Sequence, residues 1–292
     1  LRFIAQAGIK KSIAVLRSDI EHNGFVYTSY SKYLRHNNPE KFKDIGIGQG
    51  FFSIYHHDTA MPDESDVRYG FTDEESKINI NYVPVHVLTK LITRVAVPDQ
   101  DEAQSIAEAI VDWRTTGNSS TTGFYSDEFY DNLERPYPPK NYEFESFDEL
   151  LLIRGVTPGI LDMLKPFITI YGDGRININT APAVVLEVAG FSSALVEKLL
   201  QVRRGLDGKE ATMDDHVFLK TFDLASEISG FIKLTEAEVK EIDVLNDRDL
   251  LKLNSTYYRI ASEAHLASRK NALLIECVYN SVENRIENWR EK

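Results

Sequence analysis

Lys77-Ile78-Asn79-Ile80-Asn81 recurs, 98 residues further on, as Arg175-Ile176-Asn177-Ile178-Asn179. The match continues in the same register through Pro84 and Pro182, Val87 and Val185, and Leu88 and Leu186. Each copy reads as a short strand entering a helix. Asn81 or Tyr82 stands near the start of the first helix, and Thr180 is the expected N-cap of the second. Each proline then falls in a first turn, where a missing N–H costs nothing. A second helix follows each first one, with Ala103, Ile106, Ala107, Ile110 and Trp113 in one copy and Leu195, Val196, Leu199, Leu200 and Val202 in the other. Between the copies, Ser146-Phe147-Asp148-Glu149 is a capping box. Gly155 suits a left-handed cap there, and Thr157-Pro158 starts a helix that Pro166 stops. The middle of the chain is thus a set of helical pairs.

The flanks read differently. Ile9, Ile13, Leu16 and Ile20 form one stripe of an N-terminal helix, which Gly24 is expected to end. Gly24 to Tyr30, Gly50 to His57 and Val67 to Phe71 have strand character, and Thr72-Asp73-Glu74-Glu75 reads as a charged turn. Tyr257 to Ala264 alternates, and Leu273, Ile275, Cys277 and Tyr279 make an apolar strand face. A turn through Ser268-Arg269-Lys270 would join these two as a hairpin, and Trp289 suits a final strand. The expected architecture is α+β: an N-terminal helix on an antiparallel sheet built from 1–80 and 231–292, interrupted by an all-α insertion over 81–230.

Composition narrows the function. The chain has 292 residues, 42% hydrophobic, and a formal net charge of −12. Its basic residues are scattered, which disfavours nucleic acid as a partner. Helix–hairpin–helix DNA binding or DNA uptake is the alternative weighed against this, because such proteins also use helical pairs. They present a Gly-apolar-Gly hairpin to phosphate. Here Gly155-Val156-Thr157 and Gly190-Phe191-Ser192 lack the second glycine, and Asp162 and Glu197 follow where basic residues are needed. No nucleophile or phosphate-loop motif is present. His56 and His57 of His56-His57-Asp58 would point to opposite faces of a strand. No catalytic residues are assigned, and an enzyme is not expected. The single Cys277 reads as a packing residue, and one cysteine excludes an intramolecular disulfide. No apolar run reaches the ~18–20 residues that span a bilayer. Leu1 enters a helical pattern without initiating Met or N-cap, so upstream sequence is expected. After Trp113, an acidic stretch with Asp112, Asn118, Asp127 and Glu128 suits an irregular calcium loop, since calcium takes six to eight oxygen ligands. A solvated surface loop is the competing reading.

These residues together resemble a known family, the general secretion pathway protein K of type II secretion systems, a minor pseudopilin. The resemblance runs over essentially the whole chain. It is carried by Ala7-Gly8-Ile9, Asp73 to Asn81, Asp112-Trp113-Arg114, Phe147 to Pro158, Tyr171 to Pro182 and Tyr257-Tyr258-Arg259-Ile260. It implies a pseudopilin fold with a large inserted all-α domain of helix-hairpin-helix-like repeats. It further implies a periplasmic globular part, an inner-membrane anchor helix upstream of Leu1, and a place at the pseudopilus tip with the I and J minor pseudopilins. Calcium in the helical domain is also implied, with Asp112, Asp127 and Glu128 matching. Thr115, Thr116 and Gly117 replace the acidic residues usual there. The stripe Ile9, Ile13, Leu16 and Ile20 is the expected partner interface, packing both on the chain's own sheet and on neighbouring pseudopilin helices.

Overall fold

A computed structural model describes residues 1–23, 27–57, 67–115, 126–267 and 271–292. The chain opens with helices α1 (Arg2–Asn23), α2 (Ser29–His36) and α3 (Pro39–Phe42), then strands β1 (Ile45–Ile47), β2 (Gly50–Ile54), β3 (His56–His57), β4 (Val67–Arg68) and β5 (Thr72–Asp73). A 3-10 turn at 74–76 leads to β6 (Ile78–Asn79), α4 (Val85–Val95), α5 (Gln100–Arg114) and α6 (Ser126–Asp131). A 3-10 helix at 147–152 precedes α7 (Pro158–Leu164), β7 (Ile168–Thr169), β8 (Ile176–Asn177), α8 (Ala183–Ala189) and α9 (Ser193–Arg203). After α10 (Leu224–Ser229) and α11 (Glu236–Asp247) come β9 (Leu251–Lys252), β10 (Tyr257–Leu266), β11 (Ala272–Asn280) and β12 (Arg285–Glu291).

The main sheet runs β1-β2-β10-β11-β12, with β5 also paired to β10, and every pairing in it is antiparallel. The period-2 pattern sets its faces. Tyr258, Ile260, Ala264, Ile275, Cys277 and Tyr279 are buried with Ala5, Ile9 and Leu16 of α1. Burial pushes the Cys277 thiol up to about 12, so it stays a neutral packing group. The N-terminal helix, the 257–264/272–279 pairing and a last strand carrying Trp289 are as the sequence indicates.

The helical body has its own core, from Ile78 to Leu251, and the sheet core contains residues 5–71 and 258–279. Packing therefore divides the chain near 74 and 256, wider than the expected 81–230. The difference lies in α11: its Ile242 and Leu245 pack into the helical core. Thr235 and Glu238 form a full capping box there.

Two local expectations change. The strand expected over 24–30 gives way to α2, because the Thr28 side chain accepts from Ser31 N and caps a helix; Gly24 lies outside the described residues, as do Asp58 and the Ser268-Arg269-Lys270 turn. Helices α4 and α8 have Pro84 and Pro182 as N-caps. Thr180 is not a cap: its hydroxyl is turned to Asp73, 2.5 Å away.

The repeated motif makes the same bonds twice. Ile78 N and Ile80 N donate to Phe167 O and Thr169 O; Ile176 N and Ile178 N donate to Leu250 O and Lys252 O. Asn79 Oδ1 accepts from Asn81 N at 2.9 Å, and Asn177 Oδ1 from Asn179 N at 3.0 Å. Asn81 exchanges two bonds with the Phe144 backbone, and Asn179 two with that of Phe218. Arg114 donates to the carbonyls of Ile80 and Val83; Arg203 donates to those of Ile178 and Ala181. Each copy thus runs strand, helix, helix, loop, helical segment and closing strand, its ends joined by a parallel pair.

Candidate functional site

A densely bonded polar cluster lies where the two copies meet the sheet, on Asp73-Glu74-Glu75. Asp73 Oδ2 accepts from Asn177 Nδ2 at 2.9 Å, Thr180 Oγ1 at 2.5 Å and Ser255 Oγ at 2.6 Å, while its Oδ1 caps Glu75 N. Glu74 Oε1 takes Lys77 at 2.7 Å and Arg259 at 2.8 Å, and Oε2 accepts from Thr169 Oγ1 at 2.7 Å. Glu75 meets Lys252 at 2.6 Å and the Thr256 amide at 2.5 Å. All three carboxylates are buried. Three consecutive acids therefore bind the first copy (Thr169), the second copy (Asn177, Thr180), the return segment (Lys252, Ser255, Thr256) and the sheet (Arg259).

The electrostatics differ along the triplet. Burial raises the Asp73 carboxyl, and its four hydrogen bonds offset only part of that rise. Burial acts upward on Glu74 too, but Arg259 and Lys77 outweigh it and hold the group at about 2. Each acid is ion-paired or hydrogen-bonded. The arrangement locks geometry. In sequence these residues read as a solvent-facing turn, since three charges in a row are usually exposed. The available signal was the pair of complementary polar sites downstream, Lys252 and Arg259, which only the fold brings together.

The stripe packs on the chain's own sheet, as one half of the expectation has it. Ile9 and Leu16 are fully buried on the sheet, and Ile13 and Ile20 pack at its margin. Ile13 and Ile20 keep part of their surface, and the far side of α1 exposes Phe3, Lys10, Ala14, Arg17 and Glu21.

For the calcium set, Asp112 is described: it sits buried in the last turn of α5, where Thr115 N donates to its carbonyl at 3.1 Å. Asn118 and the side chains of Asp127 and Glu128 lie outside the described residues. Among the described residues no group of three His, Cys, Asp or Glu side chains is placed to hold a metal. The set is therefore not brought together by what is described. His56 and His57 lie in β3, with His56 Nε2 3.2 Å from the His36 carbonyl.

The hairpin glycines face the helical core. A Cβ on Gly155 would meet Ile106 at 2.9 Å, and one on Gly190 would meet Leu245 at 3.5 Å. Gly155 has φ +84°, the left-handed cap expected of it.

Comparison with known proteins follows the same outlines. Residues 72–173, close to the extent of the first copy, match the family model of type II secretion system protein K. The type II secretion system protein K of Aeromonas hydrophila is 27% identical over 142 residues, 45% of this chain and 43% of that protein. The match therefore spans less than half of that curated relative. A chain in the crystal structure of the GspK-GspI-GspJ complex from the enterotoxigenic Escherichia coli type 2 secretion system has a similar fold. Its TM-score is 0.70 at 17% identity, covering 99% of this chain and 95% of that one. Domain match, sequence similarity and fold point the same way: the chain resembles type II secretion system protein K, and its residues 72–173 carry the domain that this family's model describes.

Proposed function

We propose that the chain is a non-catalytic minor pseudopilin at the tip of a type II secretion pseudopilus, where it starts or caps assembly together with I- and J-type minor pseudopilins. In this reading its globular part is periplasmic, held at the inner membrane by an apolar helix upstream of Leu1. Among the described residues no helix is long and apolar enough to cross a membrane. The observation that carries the reading is a whole-chain fold shared with a chain of a three-pseudopilin complex. An insertion of some 180 residues between β5 and β10 gives it a physical sense. A subunit carrying such a bulk beside its sheet obstructs the next subunit on that side, so it belongs at an end of a filament. Mixing the folded chain with purified I- and J-type partners should give one co-eluting species on size exclusion; separate elution of folded components would count against it.

Calcium belongs to the same proposal, on the loop that follows Asp112. Binding to the folded state alone stabilises it by mass action, about 2.7 kcal/mol at a hundredfold excess over Kd. The melting temperature should therefore fall when a chelator is added, and an unchanged value removes the ion.

A further inference from the structure

The loop 204–217 of the second copy occupies the place held in the first copy by the acidic stretch after Arg114. Each loop leaves an arginine that bonds two carbonyls of its own motif, and each ends at a phenylalanine bonded to the motif's second asparagine. The second loop is also acidic, with Asp207, Glu210, Asp214 and Asp215. It is fully described, and a cation already sits in it. The Lys32 ammonium, from α2 beside the sheet, lies 2.9 Å from Glu210 Oε2 and in contact with Asp215 Oδ2. The Lys32 side chain is 2% exposed, that of Glu210 8% and that of Asp215 0%.

The surrounding bonds complete the site. Glu210 Oε1 takes Arg203 Nη2 at 2.7 Å and Nε at 2.9 Å. Asp215 accepts from Ala211 N at 2.9 Å and Thr212 N at 3.0 Å, so the ammonium, the carboxylate and the loop backbone form one unit. Ser29 Oγ adds a bond to the Asp215 carbonyl at 2.6 Å. On the same helix, Arg35 pairs with Asp19 of α1 at 2.6 Å. Helix α2 therefore holds α1 with one cation and the helical body with another.

We propose that the Lys32 ammonium is the resident cation of loop 204–217: it orders the loop without metal and clasps the helical body to the sheet body. Arg203 already pairs with Glu210, and the Lys32 ammonium held between Glu210 and Asp215 adds the charge that relieves the repulsion between these two carboxylates while linking segments 178 residues apart.

Hydrogen exchange of the full chain tests this amide by amide. In the unaltered protein, Ala211 and Thr212 should keep their protection whether calcium or a chelator is present. A loss of protection on chelation would show that a metal holds the loop and would overturn the proposal. In Lys32→Met, protection at Ala211 and Thr212 should drop at least tenfold. Leu206 and Asp207, whose amides bond Asp214, should change less. Unchanged exchange at Ala211 and Thr212 in that variant would equally overturn it. The unaltered protein decides the metal question even if the variant folds poorly.

Discussion

At Glu74 a single buried carboxylate is the counter-charge for two cations, the buried Lys77 and the half-buried Arg259. Replacing both sides of such a cluster by apolar groups can be harmless, whereas removing one side strands the other in a poorly solvating interior. Glu74→Gln should therefore cost about 3–5 kcal/mol in urea unfolding at pH 7. The pH dependence has a definite sign. Glu74 is held at about 2 against an ordinary 4.5, so its contribution is whole above about 4.5 and is lost as pH falls through about 2. Asp73 acts oppositely: burial raises its pKa, and proton uptake there favours the folded chain as pH falls. Subtracting the variant's stability from that of the unaltered chain isolates Glu74. That difference should shrink between pH 7 and pH 3; a constant difference would refute the ion-pair account.

Among the elements, α1 on the sheet shows how closely the parts are fitted. Gly8 is where the helix comes nearest: an added Cβ would lie 2.2 Å from Ser262 Oγ and 2.8 Å from Phe52. Alanine is the better helix former by about 1 kcal/mol, but overpacking costs about 1–3 kcal/mol. Gly8→Ala should therefore lower the melting temperature; a higher value would show that α1 is loosely seated. Much at this scale was legible. The stripe in α1, the alternation of β10 and β11, the capping box at Ser146 and the repeated Ile-Asn-Ile-Asn all express periods of 3.6 and 2 or local cap chemistry. Helix α2 was not, because aromatic Tyr27 and Tyr30 around Thr28 suit a strand as well as a capped helix. The acidic triplet and the Lys32 clasp were not legible either. Both depend on partners between 95 and 185 residues away, and no local pattern encodes those. Of the calcium set, Asp112 is buried, and the side chains of its companions lie outside the described residues.

Across the whole molecule, an internal pair of strand-linked helical units is inserted between β5 and β10 of the antiparallel sheet. Its entry and exit are adjacent: Asp73 of β5 pairs with Tyr258 of β10. Such an insertion leaves the sheet's pairing order intact and adds bulk on one side, and the acids at 73–75 together with Lys32 bond that bulk to the sheet body. Rigidity matters for the proposed role, because a freely hinged body would yield to the next subunit. The central claim is position at the tip, and the most direct measurement is to locate the chain on assembled pseudopili by electron microscopy with a label on the helical body. The account predicts label at one end only. Label spaced along the filament would contradict it.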